Sequence, residues 1–328
     1  MDKPYISFII PTICSRLTIF ETINNIEKFS NFDYEVIISY YKKKNSNKLI
    51  CDRLNSQTNC KIKVIESKSE SSGANRNKGA QNATGNFLCF IDDDVTLENS
   101  FFYYLNKFEL NNNFVYFPEI HNEIYLQYPL GDHVGGKSYV SACFIINRKK
   151  FAELGYMNET LNIYREDSEF FIQCKRNGMI LEFMDNTFVN HPIRFLKWKT
   201  FKTIFLKNEY EPLFHKMTSG NYYGVLTRNS YSTLPNKHGF SIVFYFITLL
   251  LITIGLVIIY NLYIFFVLVL LYILFSMSMT SLFIHLNRKI LKYKILKNLS
   301  ILSIFLLLLP ILFISRVIGS IKYRHFTV

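Results

Sequence analysis

Apolar runs and helical patterns alternate over the first 190 residues of the chain. Four short runs, rich in β-branched and aromatic residues, have the character of buried strands, at 7–10, 34–39, 62–66 and 87–91. Helical patterns lie between them, at 17–29 and 73–81. This β-α-β-α order predicts an α/β fold with a parallel sheet, in which ligands bind beyond the carboxyl ends of the strands.

The pattern changes toward the C-terminus, where polar positions become rare. Two stretches, 240–260 and 262–284, contain no charged residue, and a third begins at 299 and carries Pro310. At about 1.5 Å per residue, each of the first two would cross a hydrocarbon core of about 30 Å. We therefore expect an all-α membrane region at 239–328, with transmembrane helices at about 240–260, 262–284 and 299–318. The third segment either spans the bilayer or re-enters it at Pro310.

Charges near these stretches predict an orientation. The loop at 288–297 contains five Lys or Arg residues and no acid, and such loops stay on the cytoplasmic side. The N-terminal domain, 1–192, is therefore expected in the cytoplasm and the protein in the cell membrane. The linker at 193–238 begins with a basic, aromatic stretch that fits a helix lying on anionic lipid. A helix closing the domain core is the alternative, and membrane lipid is a simpler partner than nucleic acid.

Composition excludes several classes of protein. With 49% hydrophobic and 16% aromatic residues, the chain is neither disordered nor fibrous. Part of the net charge of +12 carries no information about partners, because heavy use of Lys, Asn, Ile, Phe and Tyr is typical of AT-rich coding. The six cysteines are scattered without a CxxC pair or zinc spacing, which favours a reduced compartment. The glycine patterns of dinucleotide-binding and P-loop sites are absent.

Three consecutive aspartates, Asp92, Asp93 and Asp94, directly follow the apolar run 87–91. Carboxylates crowded at a strand end repel one another unless a cation or hydrogen-bond donors compensate. Mg²⁺ or Mn²⁺, held by one or two carboxylates together with substrate phosphates, is a common solution. The alternative is a solvated acidic turn.

Segments in the expected order resemble the family 2 glycosyltransferases, and the resemblance covers about residues 5–192. They are the Ile-Ile-Pro-Thr run at 9–12, the glycine-flanked segment 73–80, the segment 83–94 with its aspartates, the segment 139–159, and the Glu-Asp pair that opens a helix at 166–178. The resemblance implies a GT-A fold, a Rossmann-like sheet that binds a nucleotide sugar through a DXD motif and a divalent metal, Mg²⁺ or Mn²⁺.

The resemblance also implies roles for individual residues. Asp92 and Asp94 match the DXD pair, with Asp94 as the direct metal ligand and Asp92 as a ribose or metal contact. Asp167 matches the catalytic base of the ED motif, and Glu166 stands beside it on the acceptor side. The alternative for this pair is two acids that favour a helix N-terminus. Donor-binding residues are expected to include Asp93, Pro11, Thr12 and Arg76, and His191 is expected as a further metal or diphosphate contact. For Arg76 the alternative is a solvated helix residue, and for His191 a structural turn residue beside Pro192.

These roles predict one displacement with inversion at the anomeric carbon. A carboxylate takes the proton of the acceptor hydroxyl, and a metal offsets charge on the departing nucleoside diphosphate. The acceptor is expected to be a hydroxyl or phosphate group, on a lipid-linked sugar, a polyprenyl phosphate or another glycan, in cell-envelope or surface polysaccharide synthesis. A nucleotidyltransferase is disfavoured by the ED motif, and a non-catalytic membrane scaffold is the alternative.

Two departures from the family pattern qualify these expectations. The second strand ends in Ser39, where many members carry an aspartate that reads the nucleotide base. A UDP-sugar is the expected donor, but Ser39 leaves the base open. The QxxRW signature of processive synthases is absent, which favours the addition of a single sugar.

Overall fold

The computed structural model describes residues 5–41, 48–56, 61–121, 139–161 and 165–191, then 209–210, 212–218 and 314–325, with a few single positions between these ranges. The chain divides into two compact units. The first comprises 1–123, 135–194 and 221–228, and the second comprises 124–134, 195–220 and 229–328. The domain boundaries expected from the sequence stay a prediction.

The described part of the first unit contains a mixed sheet and its flanking helices. The strands are β1 (Ile6–Thr12), β2 (Tyr34–Tyr40), β3 (Ile62–Glu66), β4 (Phe87–Ile91), β5 (Thr96–Leu97), β6 (Phe114–His121), β7 (Cys143–Asn147) and β8 (Ile180–Asn190). The helices are α1 (Thr18–Phe29), α2 (Lys48–Ser56), α3 (Ser72–Gln81), α4 (Asn99–Lys107), α5 (Arg148–Glu153) and α6 (Glu166–Arg176).

The sheet has the strand order β3-β2-β1-β4-β7-β6-β8-β5. The first four strands of that order are parallel, as predicted, whereas β7 runs antiparallel to β4 and to β6. The chain therefore builds outward from β1 in both directions, and the order reverses between β1 and β4. In open α/β sheets, ligands bind in the crevice at such a reversal. The expected α/β fold is confirmed as a mixed sheet.

Pro11 contributes to this crevice. Pairing between β1 and β4 ends at Ile9 and Phe90, whereas β1 and β2 remain in register through Pro11 and Thr12. Proline has no amide proton to give to a ladder, so it suits the position at which a strand leaves one neighbour. The carboxyl end of β1 thus separates from β4 just before the three aspartates.

Helix α3 packs unusually close to the sheet because of its glycines. A Cβ atom on Gly79 would overlap the Cγ2 atom of Ile9 in β1, and a Cβ atom on Gly73 would lie 3.2 Å from Cγ of Glu166. This close approach buries Asn75, Arg76 and Asn77 along with the small residues. Helix α3 is therefore a buried helix without an apolar stripe.

Glu35 connects the amino-terminal ends of the parallel strands β1, β2 and β3 with the chain that leads into β4. Its buried carboxylate accepts hydrogen bonds from Ser7 Oγ at 2.7 Å, from the Thr84 amide at 2.6 Å and from Lys63 Nζ at 2.6 Å. Burial alone would raise the pKa of Glu35, but the bonds from Lys63, Thr84 and Ser7 outweigh it and lower that pKa to about 2.

Helix α1 is fastened to the chain that follows β4. Thr18 Oγ1 donates to the Asp93 carbonyl at 2.5 Å, Thr22 Oγ1 to the Val95 carbonyl at 2.7 Å, and Asn25 Nδ2 to the Leu97 carbonyl at 3.1 Å. These three side chains lie on one face of the helix because they are spaced by four and three residues. Side chains of α1 therefore satisfy every second carbonyl of the segment 93–97.

The second unit contains helical residues at 209–210, 212–218 and 314–322. Gly319 lies against the backbone of Glu209, where a side chain would overlap the Glu209 carbonyl. Lys322 Nζ lies 2.6 Å from Glu209 Oε1, and Lys216 Nζ donates to the Tyr323 carbonyl at 3.2 Å. A close backbone approach and a salt bridge thus join these two segments.

The expectation of an integral membrane protein is corrected. Within the part of the chain that the structure describes, no helix combines the length and the apolar composition needed to cross a membrane. A span needs about 20 apolar residues, whereas the helical run 314–322 is short and buries the charged Arg316. The predicted spans 240–260, 262–284 and 299–318, like the linker 193–238, lie mostly outside the described residues.

Candidate active site

The aspartate turn, residues 92–94, lies at the β1–β4 crevice and is fixed by its backbone. The Asp92 amide donates to the Ala142 carbonyl at 2.9 Å, and the Val95 amide donates to the Asp92 carbonyl at 3.0 Å. Thr12 Oγ1, at the end of β1, donates to Asp93 Oδ2 at 2.6 Å. Asp93 is buried, so its carboxylate joins the two strand ends across the crevice.

Arg76 connects the aspartate turn to the start of α6. Its guanidinium is 1% exposed and lies 2.5 Å from Asp92 Oδ1 and 3.4 Å from Glu166 Oε1. It also donates to Ser72 Oγ at 2.8 Å. Burial would lower the pKa of Arg76, but the Asp92 and Glu166 carboxylates raise it. The structure places the carboxylates of Asp92 and Glu166 beside the Arg76 side chain. A contact between Arg76 and the donor stays a prediction.

Asp92, Asp94 and His191 form a potential metal site. One ligand atom from each residue lies within 4.8 Å of the others, and His191 Nε2 lies 3.7 Å from Asp94 Oδ1. Burial raises the pKa of Asp92, with Arg76 opposing the shift and Asp94 adding to it. Two carboxylates and one imidazole nitrogen suit a hard divalent cation with open positions for water or phosphate. The donor set fits Mg²⁺ and Mn²⁺ alike.

Arg16 is a part of the site that the sequence did not reveal. Its NH1 atom lies 2.5 Å from Asp93 Oδ1 and 2.9 Å from Asp94 Oδ2. The side chain of Arg16 is 34% exposed, whereas that of Asp94 is 3% exposed. The available signal was its position, four residues after Thr12, at the strand end that faces the acidic turn.

The acidic pair at the start of α6 completes the group. Asp167 Oδ2 accepts a hydrogen bond from the Ser141 amide at 3.2 Å, and Asp167 Oδ1 accepts one from the Ser168 amide at 2.6 Å. Burial and then the charge of Asp167 raise the pKa of Glu166 to about 7. Arg165, which precedes the helix, has a φ of 72° and turns the chain sharply into α6.

The structure therefore gathers most of the predicted residues at one edge of the sheet. Direct contacts connect Arg16, Arg76 and Thr12 to the aspartate turn, and Glu166 joins it through Arg76. Asp167 instead bonds to the segment that leads into β7. The functional role of each residue stays a prediction.

Most of the sequence that forms this site matches a known protein family. Residues 7–170, half of the chain, match the family described as Glycosyl transferase family 2. The chain belongs to glycosyltransferase family 2. It is accordingly a glycosyltransferase, and the matched residues span β1 to the first part of α6.

Two solved glycosyltransferase structures are similar to this chain to different degrees. The mannosyltransferase PcManGT from Pyrobaculum calidifontis, in complex with GDP-Man and Mn²⁺, is similar at a TM-score of 0.59 and 11% identity, over 98% of this chain and 87% of that one. TarS 1-349 from S. aureus, in complex with UDP-GlcNAc, is similar at a TM-score of 0.47 and 16% identity, over 72% of this chain and 76% of that one. No curated protein sequence matches this glycosyltransferase significantly. The likeness to the mannosyltransferase supports a GT-A type of fold.

Proposed function

We propose that this glycosyltransferase moves a sugar from a nucleotide-sugar donor to a hydroxyl or phosphate acceptor, with inversion at the anomeric carbon. The observation that carries the proposal is the cluster of Asp92, Asp94 and His191 at the β1–β4 crevice. The proposed setting is the synthesis of a cell-envelope or surface polysaccharide, with a glycan as acceptor. The lipid-linked acceptor expected from the sequence depended on membrane spans and is not carried forward.

Both UDP- and GDP-sugars are candidates for the donor. The mannosyltransferase with the shared fold was solved with GDP-Man. In this chain Ser39 is fully buried, and its hydroxyl donates to the Asn75 carbonyl at 2.7 Å. The end of β2 therefore offers no carboxylate at the position that reads the base in many family members, and neither carrier is favoured by this position.

The residues of the site divide the chemistry between them. Asp92, Asp94 and His191 would hold Mg²⁺ or Mn²⁺, and a bound cation would offset the negative charge that develops on the leaving diphosphate. Asp167 would accept the proton of the acceptor hydroxyl as that oxygen forms its bond to the anomeric carbon. The bond from that carbon to the phosphate oxygen breaks, and its electron pair leaves with the nucleoside diphosphate. Arg76 keeps Asp92 and Glu166 at a fixed separation.

The test is release of a nucleoside diphosphate from a panel of UDP- and GDP-sugars, with Mn²⁺, Mg²⁺ or EDTA and with glycan acceptors. We expect turnover of one donor that requires the metal and is abolished in Asp94→Ala and Asp167→Asn. Asp185→Asn serves as the matched control, because the Asp185 side chain is 89% exposed and lies on β8.

Transfer that survives both substitutions would show that the residues are wrongly assigned. Absence of turnover, together with no metal-dependent binding of any nucleotide sugar, would favour a non-catalytic scaffold instead. Turnover that is indifferent to EDTA would contradict the proposed role of Asp92, Asp94 and His191.

A further inference from the structure

We propose that Arg16 competes with the divalent cation for Asp94 and, once displaced, binds the diphosphate of the donor. This inference rests on the proposed function, because it assumes that the cation and the diphosphate meet at the aspartate turn. Its basis is the placement of one guanidinium nitrogen, NH1, within 2.9 Å of both the Asp93 and the Asp94 carboxylates.

The two arginines at the turn differ in how easily they can be displaced. Arg76 is 1% exposed and is held by Asp92, Glu166 and Ser72. Moving it would leave two carboxylates without their buried cation, which is costly. Arg16 is 34% exposed, so water can solvate its guanidinium as soon as it leaves Asp94.

Charge sets the direction of the exchange. A divalent cation at Asp92, Asp94 and His191 attracts the Asp94 carboxylate more strongly than a singly charged guanidinium does, and it repels that guanidinium. Asp93 can still pair with Arg16 after the cation has taken Asp94, because Asp93 is not among the three clustered ligands. Arg16 therefore has an anchor at the edge of the site when Asp94 becomes a metal ligand.

The backbone around Arg16 keeps it in place while the side chain moves. Two residues after Arg16, the Thr18 hydroxyl donates to the Asp93 carbonyl at 2.5 Å. Two residues before it, the Cys14 amide donates to Thr12 Oγ1 at 3.0 Å. The guanidinium therefore moves from a fixed backbone position. Because it is planar, it can contact the oxygens of a diphosphate through two parallel hydrogen bonds.

The first experiment measures Mn²⁺ binding to the metal-free, full-length protein by electron paramagnetic resonance. Arg16→Gln is expected to bind Mn²⁺ about fivefold more tightly than the wild type, because the partly exposed ion pair between Arg16 and Asp94 no longer competes. Arg16→Lys retains the competing charge and should stay close to the wild type. Arg176→Gln, which removes the same charge at the exposed end of α6, should also leave Mn²⁺ affinity unchanged.

The second experiment titrates UDP and, separately, GDP into the Mn²⁺-saturated protein by calorimetry. Arg16→Gln is expected to weaken binding of the recognised diphosphate about tenfold, the size of one lost charge-assisted contact. Arg16→Lys should weaken it less, and Arg176→Gln should not weaken it.

The outcomes separate the two parts of the inference. Unchanged or weaker Mn²⁺ binding in Arg16→Gln would overturn the competition. A fivefold gain in Mn²⁺ affinity in Arg16→Lys, which keeps the charge, would overturn it as well. Unchanged diphosphate affinity in Arg16→Gln would overturn the donor contact. A wild type that binds neither UDP nor GDP with Mn²⁺ would overturn the proposed function and the donor contact together, while the metal titration would still decide the competition. If Arg16→Gln fails to fold, Arg16→Ala, which also removes the charge, replaces it in both titrations with the same expected changes.

Discussion

Replacing Glu35 with glutamine is expected to destabilise the protein in a way that depends on pH. The folded structure lowers the pKa of this carboxyl from 4.5 to about 2, because the bonds from Lys63, Thr84 and Ser7 outweigh the effect of burial. At about 1.4 kcal/mol per pKa unit this shift corresponds to roughly 3 kcal/mol. Part of it comes from Lys63, which is 42% exposed and screened by water, so we expect a loss of about 2 kcal/mol at pH 7.

The pH dependence has a definite sign. A carboxyl with a lowered folded-state pKa stabilises the fold above its unfolded pKa, and that stabilisation is lost as the pH falls through the folded value. The difference in unfolding free energy between the wild type and Glu35→Gln should therefore shrink between about pH 4.5 and pH 2. Urea unfolding followed by circular dichroism at several pH values measures it. Glu27→Gln is the control, because Glu27 is exposed on α1.

A destabilisation of the same size at pH 7 and at pH 2 would refute this reasoning. It would mean that glutamine disturbs the packing around Ser7 and Thr84 rather than removing a stabilising charge. A loss below about 0.5 kcal/mol at pH 7, the level of an ordinary surface substitution, would show that the network around Glu35 contributes little.

Three further predictions concern α3 and its neighbours. Gly79→Ala should cost about 1–3 kcal/mol of unfolding free energy, because its methyl group would overlap Ile9; an unchanged melting temperature would contradict the close approach of α3. Arg76→Met should cost about 3 kcal/mol or more, since Asp92 and Glu166 lose their buried cation; thermal unfolding measures this, and a stable variant would show that the two carboxyls are neutral. The pKa of Glu166 is raised to about 7, so its contribution to stability is present below about pH 4.5 and lost as the pH rises through about 7. Glu166→Gln should remove that decline in urea titrations, and a decline that persists in the variant would assign it to another group.

The sequence predicted the central strands well because they follow a simple physical rule. Residues 87–91 form an unbroken apolar run, and in the structure all five residues of β4 are buried between neighbours on both sides. The direction of β7 was not predictable in the same way. Its burial pattern is equally continuous, and an apolar run looks the same whether the strand is parallel or antiparallel to its neighbour.

The burial of helix α3 could not be predicted from its pattern of hydrophobic and polar residues. The sequence indicated a helix at 73–81 and left Arg76 either as a donor contact or as a solvated helix residue. The structure buries Arg76 because glycines let the helix approach β1 and because two carboxylates arrive from distant parts of the chain. Contacts between residues 76 and 166 are set by the tertiary fold and leave no local trace.

Candidate site residues that belong to a sequence motif were easier to predict than residues that join the site only through contacts with the motif residues. Motifs indicated the aspartate turn and the acidic pair at 166–167 as candidates, and their roles stay predictions. No motif indicated Arg16, since an arginine after a strand is common on protein surfaces. The membrane expectation depended on hydropathy alone. Apolar length is needed for a span, but an apolar stretch does not by itself establish a long continuous helix, and among the described residues no such helix is found.

The hydrogen bonds between α1 and the segment 93–97 make the length of the aspartate turn matter as much as its composition. The turn closes with the Val95 amide on the Asp92 carbonyl, and this places the carbonyls of residues 93 and 95 where Thr18 and Thr22 reach them. Thr18 and Thr22 lie about 6 Å apart along the axis of α1, since four residues of a helix rise that far. An insertion or deletion of one residue before Val95 would move at least one of the two carbonyls away from its hydroxyl. Relatives of this chain are therefore expected to keep the number of residues in the turn as strictly as its aspartates.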